Sequence, residues 1–309
     1  MVPRSIIAVA LPILTACSFA SNASSSYAPR PFDAELAGRQ MALVYVSDHT
    51  NNLVDVFDRG GHLQYTITSG LNEPAGLFVD AQHNLWVANP GANDVLVFPR
   101  GSMAPARTLN DTNQPNDVAV RDDGTAFVAD SLNQGGVAVY PPRRTAPTRR
   151  LTAQQSGAGG IEFYVTCDEA GNIFATGFIG ASPFPATTGW RHGRESGYYL
   201  FPQKAWSSNG IKATAVGTLL IATYAKSKPA VVEFTEAGKR TRRLIHTGGT
   251  ISDLWGDIAL DASQTVVFGV DTPRDAVIAR KFPGGALQRA YTNANLAQPE
   301  GVAIDPGSN

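Results

Sequence analysis

Two segments of this chain place oxygen donors at matching positions. Asn116 and Asp117 follow Pro115, and Glu300 follows Pro299. A calcium ion selects carboxylate and amide oxygens gathered from several segments. Asn116 and Glu300 are therefore candidate metal ligands, and Asp117 is a candidate polar contact. A third segment, FIGASPFPATTGWRHGRESG (178–197), carries Trp190, Arg191, His192 and Arg194 together with Phe184 and Glu195. A long aromatic and charged loop on a rigid scaffold suits recognition of a ligand.

Signals for catalysis are sparse. The five histidines (His49, His62, His83, His192 and His246) are scattered, whereas zinc needs ligands converging to about 2 Å. The chain has no G-x-S-x-G elbow, C-x-x-C pair, H-E-x-x-H helix or phosphate loop. No catalytic residue is assigned, and the reading leans away from an enzyme. Composition narrows the partners. The net charge is −1, without the basic excess that releases counterions from nucleic acid.

The first 41 residues read as an address. Arg4 precedes an apolar stretch, SIIAVALPILTA (5–16), which is too short to span a bilayer and has the length of a signal-peptide core. Leu14-Thr15-Ala16-Cys17 resembles a bacterial lipobox, in which cleavage precedes the cysteine and its thiol is acylated. Residues 1–16 are thus expected to be a lipoprotein signal peptide, with Cys17 the lipidation site. Ordinary secretion, with cleavage after Ala20 or Ala23, is the other reading. Ser18 points to the outer membrane by resemblance to enterobacterial sorting. Residues 17–41, rich in Ser, Ala, Asn and Pro, are expected to be a flexible tether. Cys167 would then be the remaining thiol, and its apolar setting (FYVTC) reads as a small buried side chain.

The positioning elements show in a repeat. Tyr45, Trp86, Phe127, Phe174, Leu220 and Phe268 recur at intervals of 41, 41, 47, 46 and 48 residues. A second aromatic follows each one: Phe57, Phe98, Tyr140, Phe201, Phe234 and Phe282. Short apolar runs separated by Gly-containing turns, at this period, predict four-stranded blades. In the type unit the four strands are PNDVAV (115–120), TAFVAD (125–130), VAVYP (137–141) and TRRL (148–151). The unit resembles NHL-type propeller repeats, and the resemblance covers residues 42–309. Residues 42–48 match a second strand, while PEGVAID (299–305) matches a first strand. The last strand should therefore pair with the first blade and close a six-bladed, all-β propeller, leaving no free ring edge.

In such a ring, the loops after second strands share a face with the approaches to first strands. That face is expected to carry Asn116, Asp117 and Glu300 at the channel mouth, with the 178–197 loop above them. The two aromatic markers stand 27 residues apart in the fourth blade against 12 to 14 elsewhere, from Phe174 and Phe201, which assigns the excess to that loop. Asp48, His49, Asn89, Asp130, Tyr224 and Asp271, with Glu73 and Trp255, would share the face. Two basic clusters, Arg143, Arg144, Arg149 and Arg150, then Lys239, Arg240, Arg242 and Arg243, fall at or near outer strands. There they discourage edge pairing or touch anionic envelope polymers or lipid headgroups.

These readings converge on a lipid-anchored propeller (42–309) of the bacterial envelope. It would act as a non-catalytic binding module for a protein, peptide or glycan through Trp190, Arg191, His192, Arg194, Asn116, Asp117 and Glu300, with no cofactor required and no nucleic-acid partner. The alternative comes from resemblance to gluconolactonase-like propellers, which implies a calcium-dependent lactonase with Asn116 and Glu300 on the metal. Blade two offers Ala75 at the matching slot and blade six Gly256, with Asp257 one place further on, so the implied ligand set is incomplete.

Overall fold

The computed structural model describes residues 41–307, apart from 112, 133–134, 153–159, 180–183, 195–196, 201–208, 226–227 and 248–254. The leader, Cys17, Glu195 and Phe201 lie outside these. The described strands form six antiparallel sheets of four, and the chain is a six-bladed, all-β propeller. From the axis outward, blade three consists of Pro115–Val120, Ala126–Asp130, Gly136–Tyr140 and Arg149–Leu151, as the type unit predicts. The inner strands of blades two, four, five and six are Leu77–Val79, Gly160–Cys167, Ile211–Ala213 and Ile258–Leu260.

Each sheet stands radially and is covered on both faces by its neighbours. Its second strand is accordingly an apolar run closed by a polar residue, buried at every position in Leu43–Asp48, Leu85–Asn89 and Ala126–Asp130. The outer strands face water, and Leu287–Tyr291 is exposed except at Tyr291. Apolar clusters fill the six seams. Tyr45 lies in the seam between blades one and two, Trp86 between two and three, and Phe127 between three and four. Phe174, Leu220 and Phe268 continue the series back to blade one. The repeat is thus a packing code: one large apolar side chain per blade is pressed into the next, because no blade can bury its own face.

Closure follows the expected route. The strand Pro299–Asp305 becomes the inner strand of blade one, pairing Leu43 with Asp305 and Tyr45 with Ala303. Ser47, at the bulge, ties the junction: the Gly301 N–H donates to Ser47 Oγ at 2.8 Å, and Ser47 Oγ donates to the Ala75 carbonyl at 2.6 Å. Gly301 is required here, because a Cβ would lie 2.2 Å from the Ala75 oxygen. Asp305 receives Arg100 and His83 from blade two. His83, in the turn between the first two strands of blade two, therefore holds the last strand, with its Nδ1 at 2.7 Å from Asp305 Oδ1.

Blade four differs from expectation. The second and third strands, Ile173–Ile179 and Phe184–Trp190, are slightly lengthened and pair from Ile173 opposite Trp190 to Ile179 opposite Phe184, while the turn at Arg191–Gly193 and the outer strand Tyr198–Tyr199 take up more of the excess. Trp190 ends the third strand fully buried against blade three, in the cluster of Phe127 and Ile173. It fills the place assigned to Phe201. The alternation in FPATTGW and the large area of an indole favour a buried strand over a loop.

Candidate functional site

The inner strands line the axis, and their polar side chains meet there. Asp117 and Asp257 occupy equivalent positions in blades three and six, and both are fully buried. Asp117 accepts from the Val118 N–H at 2.8 Å and from the Val165 N–H of blade four at 2.9 Å. Asp257 accepts from the Ile258 N–H at 2.7 Å and from the Val302 N–H of blade one at 3.1 Å. Each carboxylate thus stitches its inner strand to the next. Gly76 leaves the room, since a Cβ there would lie 2.2 Å from Asp117 Oδ1.

Lys212, from blade five, supplies the countercharge, with Nζ 3.8 Å from Asp257 Oδ1. Burial pushes the Asp117 carboxyl up to about 7, opposed by Lys212 and reinforced by Asp257. Burial also raises Asp257, again opposed by Lys212. Burial disfavours the lysine charge, but the two carboxylates outweigh it and its pKa is raised. Four blades are joined through this acid–base–acid cluster, and a fifth contributes the lysine.

Above it, Tyr164 reaches from blade four toward blade six. Its hydroxyl stands 3.4 Å from where a Cβ of Gly256 would sit. Burial, then the charges of Glu300, Asp257 and Asp117, hold that hydroxyl well above the usual phenol range, so it stays protonated. Glu300 is half-buried, accepts from Gln298 Nε2 at 3.0 Å, and is pushed up by burial. Asn116 donates from Nδ2 to the Phe163 carbonyl at 3.0 Å. Below Lys212 a cavity of about 290 Å3 is lined by Leu77, Phe78, Thr166, Cys167 and Ala303. Burial pushes the Cys167 thiol up to about 12, which leaves it protonated and a poor nucleophile.

The two buried aspartates are committed within the protein: their oxygens accept backbone N–H groups, and the cation beside Asp257 is the ammonium of Lys212. Among the described residues no three His, Cys, Asp or Glu side chains converge as a metal site.

The other candidates divide. Asn116, Asp117 and Glu300 line the axis toward the upper face, as expected. Trp190 is core. Arg191, His192 and Arg194 follow it in the turn between the third and outer strands, on the lower face, with the Arg191 guanidinium 5.3 Å above the Tyr198 ring. They do not share the mouth with Asn116 and Glu300, because the strand register carries the chain past it. The residues ending the second strands serve their own loops. Asp48 accepts from Asn51 and Ala297, Asn89 from the Asn72 N–H, Asp130 pairs with Arg150, and Asp271 with Arg274. Lys212 and Tyr164 were missed. The available signal for Lys212 was a lone charge inside a short inner strand, IKA.

No protein-family model matches the chain, and no curated protein matches it. Solved structures do. The chain is similar to a chain in a nidogen/laminin complex, with a TM-score of 0.70 and 12% identity over 86% of this chain and 100% of that one. It is similar to a chain of Kuenenia stuttgartiensis hydrazine synthase, with a TM-score of 0.64 and 11% identity over 85% and 86% of the two chains. A Xanthomonas campestris gluconolactonase gives 0.59 and 18% over 78% and 82%. At these identities the likeness carries the propeller fold alone.

Proposed function

We propose that this propeller is a non-catalytic binding module of the bacterial cell envelope, anchored through Cys17 and offering its upper face to a protein partner. The observation that carries the reading is the cross-tied rim of that face. Thr50 Oγ1 donates to Gln298 Oε1 at 2.8 Å, Asn51 Nδ2 to the Asn295 carbonyl at 2.6 Å, and the Glu73 N–H to Asn52 Oδ1 at 2.6 Å. Asn51, Asn52, Asn72 and Glu73 are exposed. Asn52 and Glu73 hold left-handed φ values of 55° and 54°, a conformation that persists where its surroundings impose it. A platform already ordered before contact loses little entropy on binding. The nidogen/laminin likeness is to a propeller crystallised with a protein partner, which supports the same choice.

The calcium-dependent lactonase reading is supported only by likeness to the gluconolactonase. Of its implied ligands, Asn116 donates to the Phe163 carbonyl and Glu300 accepts from Gln298.

Crosslinking to envelope proteins in cells tests the proposal. The Asn52→Ala/Glu73→Ala/Gln298→Ala chain should lose a defined crosslinked partner while its melting curve is retained. A crosslinking pattern identical to the parent's, or calcium-dependent hydrolysis of a lactone by the parent, would sink it. Palmitate labelling lost in Cys17→Ser tests the anchor separately.

A further inference from the structure

The turn joining the third and outer strands carries a basic residue in each of blades one to five, on the lower face. In the first two blades an aspartate of the preceding blade captures it. Arg59 meets Asp261 of blade six at 3.8 Å, and Arg100 meets Asp305 of blade one. The series then breaks. The next such aspartate, Asp80, is occupied by Asn84 and by Trp86 Nε1 at 2.8 Å. Blade three offers Arg121 at that position, itself paired with Asp123.

The basic residues beyond the break are left facing water. Arg143, Arg144 and Arg149 of blade three are exposed, as are Arg191 and Arg194 of blade four. Among the described residues none of these five has a carboxylate within ion-pair distance, although Glu236 acts electrostatically on Arg191. The two groups adjoin, since Arg149 Nη2 lies 3.3 Å from where a Cβ of Gly193 would sit. Lys239 and Arg240 extend the run, exposed, onto blade five. Arg143 and His192 hold left-handed φ values of 63° and 50°, so both turns present a basic side chain where glycine is favoured.

We propose that this lower rim of blades three to five docks on an anionic phospholipid surface. The residues sit on the outer edge of the ring, not in a groove. A single polymer strand needs a channel to follow, whereas a plane of headgroup phosphates meets a convex edge directly. Arginine suits phosphate through its planar fork of donors. Acidic turns nearer the axis (Asp122, Asp123, Asp168 and Glu169) would oppose a face-down approach, so contact is made by the rim. The inference adds to the proposed anchor without requiring it, since a basic patch and a lipid anchor are separate membrane signals.

The test uses the full chain carrying Cys17→Ser, so that no acyl chain contributes. It is co-sedimented with vesicles of phosphatidylcholine alone or containing about one-third phosphatidylglycerol. The expected result is binding to the anionic vesicles only, abolished at about 0.5 M salt, where screening leaves a range of a few ångströms. Arg143→Gln/Arg144→Gln should weaken it about 25-fold, at about five-fold for each charge removed. Arg191→Gln/Arg194→Gln should do likewise, and Arg274→Gln on the upper face should not. Equal binding to both vesicle types, or retention by the four-arginine variant with an unchanged melting curve, overturns the proposal. So does arginine-dependent binding to soluble polyphosphate without binding to vesicles, which would make the partner a polymer.

Discussion

The axis and the lower rim of blades three to five treat charge in opposite ways. At the axis Asp117, Lys212 and Asp257 come from three blades, and each carboxylate is paired, neutralised or hydrogen-bonded within the protein. On the rim a run of exposed arginines has, among the described residues, no carboxylate within ion-pair distance. The difference follows from desolvation. A buried ion without a partner costs several kcal/mol, by order of magnitude, so burial forces compensation. An exposed arginine is stabilised by water and can wait for a partner outside the molecule. A charge at the axis is therefore structural, and an unmatched charge on the rim is available for contact.

Substitutions that exchange the two behaviours should show the largest effects. Trp190→Ala, which empties the seam between blades three and four, should cost about 3–5 kcal/mol in urea denaturation. Arg191→Ala, at the next residue, should change stability by no more than about 0.5 kcal/mol. Equal effects would return Trp190 to the surface. Lys212→Met strands two buried carboxylates and should cost about 3–5 kcal/mol. Adding Asp117→Asn and Asp257→Asn should restore part of that, because all three charges then leave together. A triple variant less stable than Lys212→Met would show that the aspartates work independently of the lysine.

A smaller effect is expected in the pH profile. The Asp117 carboxyl is raised in the folded state to about 7, above its value in the unfolded chain. Between those two values the folded protein holds the proton more tightly. Its contribution to stability is therefore present below the unfolded pKa and is lost as pH rises through about 7. Asp117→Asn should flatten that slope in thermal melts between acid and neutral pH. An unchanged slope would move the titration elsewhere. Smallest of all, Arg143→Ala should leave the melting temperature in place, since the exposed side chain has no carboxylate within ion-pair distance among the described residues.

The ring was legible because its code is simple. A large apolar side chain at a fixed point in each unit has one good destination, so Tyr45, Trp86, Phe127, Phe174, Leu220 and Phe268 announced the six seams. The unpaired match of 42–48 with 299–305 announced closure. Blade four misled because Trp190, in a segment rich in Gly, Pro and charge, reads as a recognition residue, and only strand pairing shows it opposite Ile173. The axial cluster was half legible. Asn116, Asp117 and Glu300 were marked by their Pro-x-x setting, but Asp257 follows a glycine and Lys212 stands alone. Whether a carboxylate there ligates a metal or stitches strands depends on which N–H groups face it across a seam. The split on the rim was not legible, because the partner of each turn arginine belongs to the preceding blade.

The account stands on the ammonium of Lys212 as the internal cation of the axis, and urea denaturation of Lys212→Met against the parent at pH 5 and pH 8 tests it most directly. A protonated Asp117 needs no countercharge, and its carboxyl is raised to about 7, so the loss of stability should be clearly larger at pH 8. An equal loss at both values, or a larger one at pH 5, would contradict it.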